Sequence, residues 1–444
     1  MSDLLGIGAS GVRAYQTALT TVGENIANTG VAGYSRRTAT LSEVSAVGGI
    51  SSRDLNGLGV TVTGIGRAAD AYRASAVRDA GADLARTEAG NVWLERIQTS
   101  LTGSDLGDRL TGFFTTARAL AADPTSLPQR AVVIERAGAL ASSFAATGRQ
   151  LDTAFTELDA TAKAAVGELD ALGRALAAVN DGLGRAATGS SSAAQLSDQR
   201  DQLLERMSAI TDINVTSDAI GRASVTLGAG GPAFVAGGKS GHVAYTRNGG
   251  AVSLSVQLGG ASEAFLPAGG ALAGVREGAG QLADTRASLN TLATDFVTEI
   301  NAVQTGGRDL DGQPGTALFA AGATPTDFTV AFTDPRAIAA AGVGGGARDA
   351  SNLTTLESSR GAHGWEAGVT ALVGGNAAAL EQRRQVADAQ TAIRDGAVSA
   401  QAGVSGVDLD NEAVDLLRFQ QAYQASSRVI QVARETINTI LEIR

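Results

Sequence analysis

Cysteine is absent from the 444 residues, and histidine and aromatic residues are scarce. Without cysteine the chain can form no disulfide bond, no thiolate metal site and no cysteine nucleophile. The formal net charge is −10 and spreads over the whole length. Binding to a nucleic-acid backbone requires a clustered basic face, so we do not expect nucleic acid as a partner.

Long apolar runs are also missing. A membrane-spanning helix needs about 20 mostly apolar residues, whereas the uncharged stretches here are rich in glycine and interrupted. Residues Met1 to Gly6 include an acid where a secretory signal has basic residues, and no apolar core region follows. The sequence therefore predicts no membrane insertion and no cleaved signal peptide.

Motifs for catalysis or cofactor binding are weak or incomplete. His363 is followed by Glu366, but the Glu-x-x-His pairs of bundle metal sites do not occur. The stretch from Asp309 to Gly312 resembles the start of a calcium loop, yet Ala320 stands where a bidentate Glu is required, so we interpret it as a turn. Four acids fit the solvated face of a helix: Glu157, Asp159, Glu168 and Asp170. We predict no catalytic residue, no metal, no cofactor and no enzymatic activity.

A heptad stripe occurs at each end of the chain. Residues at alternating spacings of three and four share one face of a helix. Near the N-terminus these are Leu5, Gly8, Val12, Tyr15, Leu19, Val22 and Ile26. In the last segment they are Leu409, Glu412, Leu416, Phe419, Tyr423, Ser426, Ile430, Ala433, Ile437 and Ile440. We predict that the two ends pair as coiled-coil helices.

The N-terminal helix, predicted over about Ser2 to Asn28, combines a good stripe with a poor helical composition. Its glycines at positions 6, 8, 11 and 23 each cost roughly 1 kcal/mol relative to alanine in a helix interior. We therefore predict that this helix is frayed in the free monomer and becomes ordered when its stripe is buried.

The C-terminal helix has features that a simple two-helix pair does not explain. Glu412 and Ser426 stand inside its stripe, and Leu417, Val429 and Leu441 lie outside it. A helix that is apolar on more than one side needs more than one neighbour. The pattern predicts self-association.

Between the ends the periodicity changes twice. Helical patterns cover about Asp70 to Leu120, Pro128 to Val179, Gln195 to Ile210, Gly278 to Val303 and part of Asn352 to Gln401, and an alanine-rich helix is possible after Pro335. From Ile213 to Leu266, short alternating runs separated by glycine pairs predict β-hairpins. Alternation in Ser35 to Val47 and Gly57 to Ile65 predicts an extended connector around Gly48-Gly49.

This order predicts a mainly α fold with a small inserted β domain and nested, discontinuous domains. Residues 1–65 plus 404–444 form the terminal helices and connector, residues 66–211 plus 278–403 an elongated helical bundle, and residues 212–277 a small antiparallel β domain. The long helices favour a rod-shaped bundle. Within its first helix, Tyr72, Trp93 and Ile97 are predicted to be buried.

Two motifs at opposite ends resemble a known family. The first is Asn25-Ile-Ala-Asn28 followed by Gly33-Tyr34-Ser35-Arg36, and the second is Ser405 to Asp410 followed by a run with Gln420, Gln421 and Tyr423. Together they resemble the bacterial flagellar axial proteins, which include rod, hook and hook-associated proteins. Ser35-Arg36 and the stretch Asp309 to Gly312 before Leu318-Phe319 are most similar to the hook-associated members.

The resemblance implies a structural subunit that polymerises at the hook tip and joins hook to filament through its paired terminal helices. It also implies a helical homo-oligomer, contacts with the hook protein and the adjoining hook-associated protein, an export chaperone, and type III export to the extracellular flagellum. The expected assembly interface is Leu5, Val12, Tyr15, Leu19, Val22, Ile26, Leu409, Leu416, Phe419, Tyr423, Ile430, Ile437 and Ile440. Two alternatives remain open: another axial protein, such as a hook or distal rod subunit, and a wall-cleaving enzyme on an axial scaffold.

Overall fold

Long helices dominate the computed structural model, which describes residues 2–44 and 59–442; Gly48-Gly49, at the centre of the predicted extended connector, lies outside these ranges. The helices are α1 (Ser2–Ala27), α2 (Ala71–Thr102), α3 (Leu106–Ala122), α4 (Leu127–Arg185), α5 (Ser191–Ile210), α6 (Gly270–Gly306), α7 (Ser351–His363), α8 (Trp365–Ser405) and α9 (Leu409–Glu442). The mainly α fold is thus confirmed.

The strands form small antiparallel sheets. β1 (Arg37–Glu43) pairs with β2 (Val60–Arg67) beside α1. Between α5 and α6 lie a four-stranded sheet of β3 (Ile213–Ser217), β4 (Ala223–Leu227), β5 (Ala233–Ala236) and β6 (Lys239–Ser240), and a three-stranded sheet of β7 (His242–Asn248), β8 (Ala251–Leu258) and β9 (Ala261–Phe265). β10 (Phe319–Ala320) and β11 (Thr329–Val330) pair after α6. The small β insertion is confirmed as part of the fold.

An aromatic core holds the bundle together. Phe296 of α6 is fully buried, and six rings surround it with centroid distances between 5.3 and 6.3 Å: Phe113, Phe114, Phe144, Phe319, Phe328 and Trp365. These rings come from α3, α4, the start of α8 and the segment after α6. Burying one such side chain contributes roughly 1.5–3 kcal/mol, so this cluster is the main apolar contact of the bundle.

In α2, the predicted core residues do not all lie in the core. Trp93 and Ile97 are buried as predicted, but Tyr72 is 83% exposed. Tyr72 stands in the first turn of α2, where the side chain of Asp70 caps the helix. Periodicity identifies a face of a helix but not the length over which a neighbour covers it, and the prediction for Tyr72 was wrong for that reason.

Two predicted helix boundaries were also wrong. The pattern from Asp70 to Leu120 contains two helices, because α2 ends at Thr102 and the turn before α3 includes Asp105 with a φ of 51°. α6 begins at Gly270 instead of about Gly278. Glycines in its first turns weaken the helical pattern of the sequence there. At Gly278 a Cβ would lie 2.3 Å from the Trp93 ring, so this glycine permits close packing of α6 on α2.

The alanine-rich segment after Pro335 forms only a short 3₁₀ turn, Pro335–Ala337, in place of the suggested helix. Gln304 of α6 holds the following residues in a buried extended path. Its Nε2 donates to the Ala337 carbonyl at 2.8 Å, and its Oε1 accepts the N–H of Ala339 at 3.2 Å. These tertiary hydrogen bonds replace the local ones that a helix would make.

Two acids of α4 bind the β insertion. Asp170 accepts the N–H of Val243 at 2.9 Å and lies 2.5 Å from His242 Nδ1. Asp159 accepts hydrogen bonds from Tyr245 Oη at 2.7 Å and from Arg247 Nε at 2.7 Å. The prediction that these acids form a solvated face was therefore wrong for Asp159 and Asp170. These residues are three helical turns apart, and β7 crosses that face of α4.

The same contacts change the acidity of the groups involved. The hydrogen bond from Arg247 holds the pKa of Asp159 below its usual value. Burial and the hydrogen bond to Asp159 raise the pKa of Tyr245. Both shifts favour the charged carboxylate and the neutral phenol that this contact requires. By contrast, Glu157 and Glu168 form exposed ion pairs with Arg96 and Arg206.

Candidate assembly interface

The terminal helices α1 and α9 lie antiparallel along the heptad stripes. Gly8 faces Ile430 near the start of α1, whereas Asn25 near its end binds Glu412 near the start of α9. Between these contacts the rings of Tyr15 and Phe419 lie 6.4 Å apart, centroid to centroid. The predicted pairing of the chain ends is confirmed as part of the fold.

The predicted interface residues differ in burial. Val22 and Phe419 are buried, at 4% and 9% exposure, and Leu409 and Ile440 are exposed, at 50% and 48%. The remaining ones are half-buried: Leu5, Val12, Tyr15, Leu19, Ile26, Leu416, Tyr423, Ile430 and Ile437. Their positions follow the predicted stripe, while their part in assembly stays a proposal.

Small residues bring the two backbones together. A Cβ at Gly8 would lie 2.6 Å from Ile430 Cγ1 and 3.2 Å from the backbone oxygen of Ser426. One at Gly11 would lie 2.6 Å from Ser426 Oγ, and Ala18 is fully buried. Gly8 was predicted as a stripe residue, but both glycines were otherwise interpreted only as a cost to α1. Their recurrence at helical spacing was a signal of close helix contact.

A buried polar cluster closes the far end of the pair, with Asn25 at its centre. Asn25 Nδ2 donates to the Arg37 carbonyl at 2.8 Å and to Glu412 Oε2 at 3.0 Å. Its Oδ1 accepts the N–H of Arg37 at 2.9 Å and the O–H of Tyr34 at 2.8 Å. All hydrogen-bonding positions of this fully buried amide are used.

Arg36 and Glu412 form the charged part of this cluster. Arg36 Nε lies 2.6 Å from Glu412 Oε1, and its NH2 lies 3.4 Å from Asp415 Oδ2. The Glu412 side chain is only 1% exposed. Glu412 and Ser426 were interpreted as features that a two-helix pair does not explain, and for these two residues that interpretation was wrong. Glu412 is satisfied within the chain, and Ser426 packs against Gly11.

Arg37 connects the cluster to the bundle. Its NH2 donates to Asp198 Oδ2 of α5 at 3.0 Å, and its guanidinium lies over the Tyr34 ring, 4.9 Å from the centroid. Burial is the largest single influence on Arg37 and would lower its pKa, but the hydrogen bond to Asp198 and the negative charges of Asp198 and Glu24 together outweigh it, and the pKa is raised. Arg67 Nε lies 2.8 Å from Asp198 Oδ1, an ion-pair distance without the alignment of a hydrogen bond.

The other residues of the two motifs that resemble the flagellar axial proteins surround this cluster or lie outside it. Asn28 Nδ2 donates to the Glu24 carbonyl at 2.7 Å and so closes the end of α1. Gly33 has a φ of 75°, and Ser35 Oγ accepts a hydrogen bond from Arg67 at 3.3 Å. Gln420 and Gln421 are exposed. Arg37 and Asp198 were not predicted as site residues, because nothing in the sequence relates residues 161 positions apart.

The outward side of α9 remains apolar. Val414, Leu417, Val432 and Leu441 are 65%, 59%, 58% and 67% exposed. Val414, Leu417 and Val432 share one side of α9, and Leu441 lies near its C-terminal end.

Over residues 2–44 and 59–442, no group of three or more histidines and acids is placed to hold a metal ion. His363 Nδ1 lies 2.9 Å from Asp295. Asp309 closes a turn by accepting the N–H groups of Asp311 and Gln313. In the same ranges, none of the helices has the length and apolar character needed to cross a bilayer.

Comparisons with known proteins relate the chain to flagellar proteins. The family model described as the helical domain of flagellar hook-associated protein FlgK matches residues 94–319. The model described as the C-terminal region of the flagellar basal body rod FlgEFG proteins matches residues 403–443. The first match runs from within α2 through the β insertion to just beyond α6, and the second covers the last helix.

Two curated relatives are both named flagellar hook-associated protein 1. The one from Salmonella typhimurium is 29% identical and the one from Escherichia coli K12 is 26% identical, each over 235 residues, which are 52% of this chain and 42% of the relative. The match thus spans less than half of the relatives' length. The solved flagellar hook junction protein FlgK from Burkholderia pseudomallei has a TM-score of 0.51 and 23% identity, covering 55% of this chain and 46% of that one. This likeness shows the fold.

Proposed function

This chain belongs to the FlgK family of flagellar hook-associated proteins, and on that premise we propose that it is a structural subunit that polymerises at the hook tip and joins hook to filament. The observation that carries the proposal is the set of apolar residues on the outward side of α9, Val414, Leu417 and Val432, which together with Leu441 near its end are more than half exposed. Each such side chain left in water forgoes roughly 1.5–3 kcal/mol of burial. A second copy covering this face would recover part of that energy.

The predicted interface residues take a revised role in this proposal. The stripe residues of α1 and α9 face each other within one chain, so they build the pair instead of joining two copies directly. Contacts between copies are then made by the outward residues of α9 and by the exposed stripe residues Leu409 and Ile440. The assembly is a helical array of such pairs around an inner tube.

The remaining parts of the chain form the outer layers. In this proposal residues 1–65 plus 404–444 line the tube, the bundle surrounds them, and the β insertion is outermost. Because β9 ends at Phe265 and α6 begins at Gly270, the β layer ends before α6 and not at residue 277. The partners are further copies, the hook protein, the adjoining hook-associated protein and an export chaperone, and the location is the extracellular junction.

The test is complementation of a strain that lacks this gene, using Leu417→Asp and Val414→Asp. A buried carboxylate would oppose contact between copies, so we expect intact hooks, few filaments and filament subunits shed into the medium. The matched control is Val132→Asp on α4, at a valine that is 39% exposed, and it should retain filaments.

Two outcomes would contradict the proposal. Normal filaments with both α9 variants would show that the outward face is not the interface. A gene deletion that abolishes the hook itself would identify a hook or rod subunit instead, an alternative favoured by the rod-protein match of residues 403–443.

A further inference from the structure

We propose that Glu412, together with Arg36, fixes the register in which α9 packs on α1. The proposal concerns pairing within a single chain, so it stands independently of the polymerisation proposed above. It makes Glu412 a specificity-determining residue: the carboxylate that α1 and the following turn recognise in the correct partner segment.

The apolar stripes alone do not define one register. In the observed pairing Gly11 faces Ser426 and Asn25 faces Glu412. If α9 slid by one heptad, Gly11 would face Phe419 or Ala433, and apolar stripe residues would again meet apolar stripe residues. A seam with a strict seven-residue repeat discriminates poorly between registers that differ by a heptad, and in coiled coils a single buried polar position often supplies the discrimination.

Both slipped registers disrupt the polar cluster. A slip in one direction places Glu412 beside Ala18, a position with 0% exposure, where its carboxylate has no cation. A slip in the other direction brings the Phe419 ring to Asn25 and removes the carboxylate that lies 2.6 Å from Arg36 Nε. Separating the partners of a buried ion pair shifts an equilibrium by roughly a hundredfold or more. The native register is favoured by that factor.

Close packing at Gly8 and Gly11 is the competing explanation. The backbone of Ser426 already lies 3.2 Å from an added Cβ at Gly8, and this contact could define the register without any charge. The two explanations predict different results when the charges are removed and the close contact at Gly8 is kept.

Disulfide trapping can separate them, because the natural chain has no cysteine. The native register is reported by Gly11→Cys with Ser426→Cys, since the Cβ built at Gly11 lies 3.1 Å from Ser426 Cβ, slightly below the usual ~3.5–4.5 Å. The slipped registers are reported by Gly11→Cys with Phe419→Cys and by Gly11→Cys with Ala433→Cys. Each pair is oxidised in the full chain at high dilution, and intrachain disulfides are quantified by mass spectrometry.

In the otherwise natural chain we expect the native pair to oxidise and the slipped pairs to remain reduced. Adding Arg36→Leu and Glu412→Leu should produce slipped disulfides in an appreciable fraction of molecules. The matched control is Arg96→Leu with Glu157→Leu, which removes an exposed ion pair and should leave the native register alone. Circular dichroism and tryptophan fluorescence confirm that the bundle remains folded in every variant.

Two results would overturn the proposal. If the chain without the Arg36 and Glu412 side chains still formed only the native disulfide, the Gly8 contact or the backbone bond from residue 36 to Ser405 would set the register. If the native pair failed to oxidise in the otherwise natural chain, the observed register would not be populated. Neither result depends on whether the protein polymerises.

Discussion

In the bundle, six aromatic rings surround the fully buried Phe296, whereas in the terminal pair the small residues Gly8, Gly11 and Ala18 allow close contact between the helices. The bundle is stabilised by apolar area removed from water, which tolerates small shifts of geometry. The terminal pair buries less apolar area and depends on close backbone approach and a polar cluster. The difference teaches that stability and positional specificity reside in different regions of this chain.

The largest effect is expected from Phe296→Ala. Loss of this ring should lower the free energy of unfolding of the bundle by about 3–5 kcal/mol. Trp93 and Trp365 both lie in the bundle, so tryptophan fluorescence in a urea titration measures this region. Phe419→Ala, at the buried ring of the terminal pair, should leave the fluorescence transition unchanged. An equal shift for both variants would mean that the two regions unfold as one unit and would remove the contrast.

A smaller, local effect is expected from Gly8→Val. The added side chain cannot fit beside Ile430 without separating the helices, which should cost about 1–3 kcal/mol. Amide exchange of α1 should accelerate while the tryptophan transition stays in place. The control is Gly23→Ala, since nothing lies within 4 Å of that position; there we expect slower exchange and a gain of about 1 kcal/mol. Faster exchange in both variants would argue against close approach as the basis of the pair.

The smallest effect concerns the contact between α4 and the β insertion. Because the pKa of Asp159 is lowered in the folded protein, its stabilisation is present above the ordinary carboxyl pKa of about 3.9. It is lost as the pH falls through the lowered folded value. Asp159→Asn should remove about 1 kcal/mol at neutral pH and flatten the pH dependence of amide exchange in β7 and β8. Glu168→Gln, at an exposed ion pair, should change neither; an equal change there would contradict the assignment to Asp159.

Much of the architecture could be predicted because it rests on periodicity. The two terminal stripes keep the same heptad spacing, and glycine pairs separate the strands between Ile213 and Leu266. The parts that could not be predicted depend on residues that carry no apolar signal. Gly8 and Gly11 lower helix propensity and yet make the helix contact, and Gly270 and Gly274 weakened the helical pattern in the first turns of α6.

The hydrogen-bond partners in the polar cluster could not be predicted from the sequence for a different reason. Asn25, Arg36 and Glu412 were visible as motif residues or as an anomaly in a stripe, but their partners are set by the three-dimensional path of the chain. Arg37 reaches Asp198 on α5, and Asp159 and Asp170 look like any exposed acids of a long helix until β7 crosses them. A polar residue in an apolar stripe indicates a partner, and only the fold identifies that partner.

The backbone around Arg36 has a consequence for how this protein can vary. Arg36 N–H donates to the Ser405 carbonyl at 2.8 Å, and the Arg36 carbonyl accepts the N–H of Ala68 at 2.8 Å. The chain therefore leaves the terminal pair and returns to it at one place. The same 235 residues make up 52% of this chain but 42% of its longer relatives. Insertions between Ala68 and Ser405 can enlarge the body of such a protein while its two ends keep the same geometry.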